Sequence, residues 1–488
     1  METITLRFPE VKLEISKEGI SFEKLEELAF DVSRQIGCKA MEEFLKELDG
    51  VLRKERPRSR MNNRGKVFKH ILTRLGEVNY SRTRYKDKAT GEIRYLADEV
   101  LGLIRDQRIS LSRQKLEAHA VSETTYRKSR EGIKRITGSS RSHEAMRQSV
   151  VKEAEKIIDF QKKSFEKIKS LEYETAREAP EIVYNEADGT VIRLQKRKKG
   201  KITGKKKKKK HAEVKLGIGY TAREARYRSG EGKGKRLVRK FVYVSMRSRK
   251  RFMEEFSLMA EKRLNLSGAK KILFGGDGDT WIKTGMRRFF PGAKYLLCRF
   301  HLQRSITTGL SGKKDKCFEV KKLVREDKID EALECIEAAA KKTKVAKERE
   351  AIEDLYAYIR NNRDGILAAN NLEGDEEKTG AIEPNIDKVI AHRFKKRGMS
   401  WSKKGAISLL KIKETILNGD WNNWWQEDRD KTITIKREWN NPLPATQFKR
   451  AAEQKPWLDT SIPVLEGADQ DKPWAGVLRK LIRSRYSA

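Results

Sequence analysis

The order of strands and helices between residues 180 and 310 constrains the fold of this chain more than any other feature. After Pro180, helical periodicity gives way to β-branched and aromatic runs, namely EIVYNEADG, TVIRLQ, EVKLGIGYTA and LVRKFVYVSM. A helix (RKRFMEEFSLMAEKRLN), a buried strand (KKILFGG), a second helix (TWIKTGMRRFF) and another strand (AKYLLC) follow. Between the first two runs, Asp188-Gly189 predicts a hairpin turn.

Strands in a meander, followed by helices alternating with strands, are the order of a ribonuclease-H-like α/β layer. Residues 311–380 are helical in pattern and nearly neutral, with 15 basic and 17 acidic residues, and they predict an inserted helical subdomain. Amphipathic helix resumes over 385–417. The predicted fold class is an α/β ribonuclease-H-like catalytic domain with an α-helical insertion, preceded by a mainly helical N-terminal DNA-binding region.

The N-terminal third predicts a long helix, then a small sheet, then several short helices. Helical spacing of apolar residues covers 22–60, alternation covers 66–97, and short Arg-rich helices separated by Ser or Gly cover 98–150. Such helices are typical of a helix-turn-helix-like DNA reader and also of ordinary helical bundles. The predicted segments are a helical region (1–65), a DNA-binding region (66–171), a catalytic core (180–310), the insertion (311–380), the last core helices (381–417) and a Trp-rich basic tail (418–488).

The charge of the chain points to a polyanionic partner. Lys and Arg number 110 against 71 Asp and Glu, a net charge of +39, and nucleic acid is the commonest partner of such a surplus. No run approaches the ~20 apolar residues that cross a bilayer, and the N-terminus has no signal-peptide pattern. Four cysteines fit a reducing compartment. We therefore expect a cytoplasmic protein that associates with the nucleoid when it binds DNA, and no membrane partner.

Basic side chains on three segments are the candidate DNA contacts. Residues 193–210 contain 12 Lys or Arg and no acid, so this run predicts a loop that is either simply solvated or contacts phosphates. Arg82 and Arg84 alternate along one predicted strand, whose basic face is either a solvent face or a DNA face. The candidate DNA-binding residues are Arg82, Arg84, Arg127, Lys205, Lys206, Lys207 and Lys208.

Three distant acids are the candidates for chemistry. Asp188 ends the first strand of the predicted layer, Asp277 follows the strand KILFGG, and Glu383 opens the helix after the insertion. Carboxylates at strand ends and a helix start can converge on one point, and phosphodiester chemistry with two Mg²⁺ ions requires such a cluster. Each has a structural alternative: Asp188 as a turn residue and Glu383 as an ordinary helical acid. Asp279 is predicted as the N-cap of TWIKTG, which leaves Asp277 as the strand-end ligand.

The segment CRFH places Cys298 and His301 at a spacing that zinc half-sites use. No second CxxC or HxxxH occurs in the sequence, so structural zinc is not expected. A buried cysteine and a core histidine are the simpler interpretation.

Four blocks in order resemble a known family: EADG at 186–189, GDGDTWIK at 276–283, CRFHLQRSI at 298–306 and IEPNIDKVIAHRFKKRGMSWSKKGA at 382–406. They are similar to the ISLre-two-type (UPF0236-like) insertion-sequence DDE transposases, prokaryotic relatives of the Mutator-like transposases. The resemblance runs from about residue 66 to 410. Pro384 departs from the family's Gly, and Cys298 departs from the Asp of close relatives.

The resemblance implies Asp188, Asp277 and Glu383 as a catalytic triad that binds Mg²⁺ (or Mn²⁺), with His301 close by. It implies cleavage at transposon ends and strand transfer into target DNA, with both DNAs as partners. Synapsis of two ends implies a homo-oligomer. Two alternatives stay open: a catalytically inactive nucleic-acid-binding remnant, and a ribonuclease-H-like nuclease that acts on another nucleic acid.

Overall fold

The computed structural model describes residues 21–173, 178–195, 211–225, 235–374, 376–396 and 398–421. These residues fall into two compact units, 21–70 with 78–107, and 71–77 with 108–421. The division differs from the predicted segmentation because the sheet predicted within 66–97 groups with the first helix, whereas the helices that follow it group with the α/β part. The predicted contacts Lys205, Lys206, Lys207 and Lys208 and most of the Trp-rich tail lie outside the described residues.

The first unit contains one long helix and a small sheet, as the sequence predicts. Ser21 caps the helix by accepting a hydrogen bond from the Lys24 amide, and the strands pair in the order β1-β2-β3. Leu48 and Leu52 of the helix pack with Tyr85 of the sheet. The elements are α1 (Phe22–Glu55), β1 (Met61–Leu72), β2 (Glu77–Asp87), β3 (Ile93–Arg94) and α2 (Leu96–Val100).

Arg82 does not lie on the exposed face predicted for it. The covered side of β2 changes at Arg82 and Thr83, which are both buried, so Arg84 and Lys86 are exposed whereas Arg82 is only 5% exposed. Arg82 forms an ion pair with Asp98 and lies 3.8 Å from the centre of the Tyr95 ring. The expectation of a shared basic face is therefore wrong for Arg82, because buried partners neutralise and enclose its guanidinium.

The second unit is built on a five-stranded sheet that helices cover on both faces. Its strand order is β10-β9-β4-β5-β8; β5 pairs antiparallel with β4 and with β8, and β9 pairs parallel with β4 and with β10. Its first elements are α3 (Leu111–Glu123), α4 (Tyr126–Thr137), α5 (His143–Lys169), β4 (Ile182–Arg193), β5 (His211–Tyr220), β6 (Ala222–Ala225), β7 (Lys235–Val238), β8 (Phe241–Ser245), α6 (Arg249–Leu264), β9 (Lys271–Gly276), α7 (Thr280–Phe289) and β10 (Lys294–Leu297).

The remaining helices complete this unit. Five of them follow β10, and Ile306, Val320, Ile336 and Ile359 belong to a core of their own, as expected for the predicted insertion. They are α8 (Arg299–Gly309), α9 (Lys314–Arg325), α10 (Ile329–Lys341), α11 (Ala346–Asn361) and α12 (Arg363–Asn370); α13 (Ile382–Ile386), a π-helical turn (Asp387–Ala391), α14 (His392–Phe394) and α15 (Lys403–Leu417) come next. None of the helices in the described ranges has the length and apolarity that a bilayer crossing requires.

Residues 188 and 189 do not form the predicted hairpin turn. Strand β4 continues through them, and Asp188 and Gly189 pair with Leu216 and Lys215 of β5. Gly189 is not among the residues with positive φ, which a type I′ turn requires at both central positions. The turn tendency of Asp-Gly is overridden because β4 pairs with β5 without interruption from Tyr184 to Arg193.

Candidate metal centre

Asp188 and Asp277 come together at the edge where β9 ends. β9 pairs in parallel with β4 up to the match of Glu186 with Gly275. Continuing that register places Asp188 of β4 beside Asp277, the first residue after β9. The predicted strand-end position of Asp277 is confirmed, whereas Asp188 lies within a longer strand that extends past its neighbour.

Glu383 and His301 approach the same edge from two helices. Glu383 is the second residue of α13, and His301 lies in the first turn of α8, directly after β10. The Nε2 atom of His301 lies 2.9 Å from Oε1 of Glu383. Its Nδ1 atom is buried and has no hydrogen-bond partner among the described residues. Helix α13 begins at Ile382, one residue before the predicted start at Glu383, so Pro384 is its third residue.

One ligand atom from each of Asp188, His301 and Glu383 lies within 4.8 Å of the other two. Asp188 is buried, whereas His301 and Glu383 are half-buried, so the cluster has an open side. Asp277 is outside this group of mutually close atoms, but its charge acts on Asp188. The structure therefore brings all four predicted catalytic residues to one edge, with His301 rather than Asp277 in the tightest group.

Burial is the main cause that raises the pKa values of both aspartates, and the charges of neighbouring acids add to it. Burial is the main cause that raises the pKa of Asp188 to about 7, and the charges of Asp277 and Glu383 add to it. Burial likewise raises the pKa of Asp277, while a hydrogen bond from the Asp279 amide lowers it in part. Among the described residues, no Lys or Arg forms an ion pair with Asp188, Asp277 or Glu383.

The helical insertion holds the loop that contains Asp277. The hydroxyl of Tyr358 on α11 donates a 2.7 Å hydrogen bond to the carbonyl oxygen of Asp277. The amide of Gly278 donates to the hydroxyl of Tyr295, at 2.9 Å. Gly278 has a φ of +100°, and a Cβ there would lie 2.9 Å from atoms of both Tyr358 and Asn362. Only glycine fits this position, so the tight turn aims Asp277 towards the site.

Two neighbouring residues act structurally. Asp279 is confirmed as the N-cap residue of α7, although its side chain accepts a hydrogen bond from the Trp281 indole instead of a backbone amide. Cys298 is the N-cap residue of α8 and is 1% exposed, and burial raises the pKa of its thiol. A buried neutral thiol is a poor metal ligand, and it is the imidazole of His301, not the thiol of Cys298, that lies against Glu383.

Sequence reasoning missed Glu186, Tyr358 and Tyr295. Glu186 is fully buried on β4, two residues before Asp188 and on the same face of the strand. Its signal was an acid inside a strand that otherwise has β-branched and aromatic character. Tyr358 and Tyr295 carried no signal, because the chain brings them to Asp277 only through tertiary packing.

The remaining predicted DNA contacts lie on separate elements. Arg84 is exposed on β2 and donates a 3.2 Å hydrogen bond to the carbonyl of Arg64. Arg127 is exposed on α4, which follows α3 after only two residues. The exposed side chains of α4 include five basic residues: Arg127, Lys128, Arg130, Lys134 and Arg135.

The donor set fits a divalent cation. Carboxylate oxygens are the preferred ligands of Mg²⁺ and Mn²⁺, and an imidazole nitrogen broadens the choice towards transition metals such as Mn²⁺. Burial raises the pKa values of Asp188 and Asp277, and the charges of neighbouring acids add to it; a bound cation would favour the ionised form of both carboxylates. The open side of the cluster leaves room for ligands from solvent or substrate.

The chain belongs to the uncharacterised protein family UPF0236, whose model matches residues 15–429. Two UPF0236 proteins of Caldanaerobacter subterraneus subsp. tengcongensis are each 24% identical to it, over 425 residues (85% of this chain, 82% of the relative) and over 413 residues (83% and 80%). A Streptococcus gallolyticus relative, named a UPF0236 protein in the vanSb 3′ region, is 22% identical over 352 residues, 71% of this chain and 72% of the relative.

Proposed function

We propose that this protein is a DDE transposase, which cuts DNA at transposon ends and joins the freed ends to target DNA with the help of Mg²⁺ or Mn²⁺. The observation that carries the proposal is the convergence of Asp188, His301 and Glu383 within 4.8 Å, with Asp277 beside them. Asp188 and Glu383 are 195 positions apart in the chain, so only the tertiary fold brings these residues together.

The sheet supports this proposal. Three successive antiparallel strands followed by two parallel ones, in the order β10-β9-β4-β5-β8, are the arrangement expected of a ribonuclease-H-like layer. The helical insertion lies between the strand that precedes His301 and the helix that carries Glu383. The resemblance implies a catalytic domain of this class, and the residue pattern of 311–380 predicts helices before its last acid.

Each site residue has a proposed role. Asp188 and Glu383 would bind one ion, Asp277 would supply a ligand to a second, and His301 would orient Glu383 or bind the ion itself. The ions would activate the attacking oxygen and stabilise the leaving oxygen of an in-line displacement at phosphorus. Tyr358 and Gly278 would keep Asp277 in place.

DNA binding is proposed on the basic surface. The exposed arginines and lysines of α4 would contact phosphates or bases of a transposon end, and the Lys-rich run 198–210 would contact backbone without sequence preference. Pairing of two ends would require a homo-oligomer. The protein would act in the cytoplasm, at the nucleoid.

One relative gives independent support. The name of the UPF0236 protein that aligns over 413 residues joins eleven locus designations of one organism. A gene present at many loci of one genome is what a mobile element produces. We propose that the present chain shares that behaviour.

Cleavage of a duplex that carries the inverted repeats flanking the coding region tests the proposal. Wild type should nick this duplex in Mg²⁺ or Mn²⁺ and not in EDTA, and Asp277→Asn should abolish the nick. Asp279→Asn is the matched control, because Asp279 lies two residues away, is exposed and should leave cleavage intact.

The alternatives predict different results. A catalytically inactive remnant would bind the duplex with strong salt dependence and cut nothing under any metal condition. A nuclease of another specificity would prefer an RNA–DNA hybrid or branched DNA in direct competition. Equal cleavage by wild type and Asp277→Asn would remove Asp277 from the site.

A further inference from the structure

The carboxylate of Glu186 contacts more donors than any other acid near the site. Its Oε2 accepts hydrogen bonds from the amides of Gly380 and Ile382, at 2.8 and 3.1 Å. Its Oε1 accepts from the amide of Ala381, at 3.1 Å, and from the hydroxyl of Tyr220, at 2.8 Å. Three consecutive amides therefore converge on one carboxylate.

These three amides belong to the start of the helix that carries Glu383. Ala381 is the N-cap residue of α13, and Ile382 is its first residue. Their side chains offer no cap hydrogen bond, so Glu186 supplies from β4 the acceptor that a helix start normally takes from its own N-cap. The negative charge at a helix start is also favourable.

Further contacts hold the segment 376–381, the linker that leads into α13. The amide of Glu377 donates a 2.8 Å hydrogen bond to the hydroxyl of Tyr184, whose ring stacks on Tyr220 with centroids 5.0 Å apart. Arg223 lies 3.6 Å from Glu186 and donates a 2.9 Å hydrogen bond to the Tyr220 hydroxyl. Gly275 lets the linker pass closely, because a Cβ there would lie 2.9 Å from Thr379.

We propose that Glu186 is a positioning residue, which fixes Glu383 relative to Asp188 by anchoring the start of α13 to the strand that carries Asp188. This inference rests on the proposed function of the same site. Glu186 is not itself a ligand, because it is fully buried and both of its oxygens already accept hydrogen bonds. Asp188 and Glu186 lie on the same face of β4, so one strand presents the ligand and the anchor together.

Glu186→Gln breaks the anchor with little change of volume. Whichever way the amide is turned, its NH₂ group faces an amide donor, either that of Ala381 or those of Gly380 and Ile382. We expect the metal concentration that half-saturates cleavage to rise by ~10–100-fold, as is typical when a residue that supports a metal ligand is removed. High Mn²⁺ should restore much of the rate.

Glu255→Gln is the matched control. Glu255 is also buried, and its carboxylate accepts from Tyr243 and Arg251, but it lies on α6, away from the metal centre. A general loss of stability would affect both variants, whereas the shift in metal requirement should appear only in Glu186→Gln. Hydrogen exchange of the peptide 376–386 should also accelerate only in Glu186→Gln.

The measurements separate the two proposals. Mn²⁺ binding, followed by electron paramagnetic resonance, is measured on the full chain beside DNA cleavage. If wild type binds Mn²⁺ or cuts DNA and Glu186→Gln has the same metal dependence, the role of Glu186 is overturned and the proposed function stands. If wild type binds Mn²⁺ without cutting, the transposase proposal fails while the change in Mn²⁺ affinity still decides the role of Glu186. A wild type that neither cuts nor binds Mn²⁺ overturns both.

Discussion

The buried acids of the first unit differ in their partners from the acids of the candidate metal centre in the second unit. In the first unit, Asp98 is 2% exposed, accepts a 2.8 Å hydrogen bond from Lys69 and forms an ion pair with Arg82. Asp87 of the same unit is paired with Arg60, whose two hydrogen bonds lower the pKa of Asp87. In the second unit, Asp188 and Asp277 lie together with Glu383, and the pKa values of the two aspartates are raised.

This difference distinguishes a structural charge from a functional one. A buried carboxylate that meets a buried cation is compensated within the fold, and removing either partner leaves an isolated charge. Ionised carboxylates that lie close together repel one another and destabilise the folded chain unless a cation binds between them. The second unit also contains compensated acids: Glu414 pairs with Lys411 and accepts from the Val244 amide. The lack of a Lys or Arg partner is therefore specific to the acids of the candidate metal centre and does not extend to the whole second unit.

The largest expected effect is the loss of folding stability when Asp98 is removed from its two buried cations. Asp98→Ala leaves Lys69 and Arg82 buried without their acid and should destabilise the protein by ~3–5 kcal/mol. Urea unfolding measures the change, with Asp106→Ala, an exposed acid of the same unit, as the control. A loss no larger than that of Asp106→Ala would contradict the view that Asp98 compensates these cations.

The next largest effect is expected on the rate of metal-dependent DNA cleavage when Asp188 is replaced. Asp188→Asn keeps an oxygen that can accept the Gly189 amide but removes a metal ligand. We expect metal-dependent cleavage to fall by more than ~100-fold, beyond the range typical of supporting residues. Gel assays of end cleavage in Mg²⁺ and Mn²⁺ measure the fall. A variant that retained a tenth of the rate would show that Asp188 does not bind the ion.

The same substitution should stabilise the metal-free protein at high pH. The pKa of Asp188 in the folded state, about 7, lies above its ordinary value of 3.8. The folded state therefore holds its proton more tightly, and the contribution of Asp188 to the stability of the wild type falls as pH rises from about 4 to about 7 and is then level. Asp188→Asn should gain at least ~1.4 kcal/mol at pH 8, the equivalent of one pKa unit, and almost nothing at pH 4. Thermal unfolding in EDTA at both pH values measures the difference, and a gain that did not depend on pH would point to a cause other than charge.

The smallest effect is expected at Tyr358. Tyr358→Phe removes one hydrogen bond to the Asp277 carbonyl, and a neutral hydrogen bond contributes ~1 kcal/mol. Cleavage should slow by less than about tenfold, with Asp277 still present but less well held. Tyr356→Phe on the same helix is the control, since Tyr356 packs near Arg360 and not on the Asp277 loop. If Tyr358→Phe lost more cleavage activity than Asp188→Asn, Tyr358 could not be a residue that merely supports Asp277.

Local pattern was sufficient for several elements and not for others. Apolar spacing predicted α1, and the run KILFGG predicted β9 with Asp277 at its end. The Asp-Gly pair suggested a turn where the structure has a continuous strand, because pairing along the whole of β5 outweighs the preference of two residues. Arg82 was misplaced for a related reason: strict alternation cannot reveal where the covered side of a strand changes.

The sequence by itself determined the order of most elements and the surplus of positive charge, since both are written in residue type and short-range spacing. The four residues of the candidate site came from the family resemblance, because spacing alone left each of them a structural alternative. Only the tertiary structure decided that His301 lies against Glu383, that Glu186 anchors the helix start, and that Arg82 is enclosed. These contacts join residues that are distant in the chain, and which donor meets which carboxylate is set by strand register and helix packing, which no local pattern encodes.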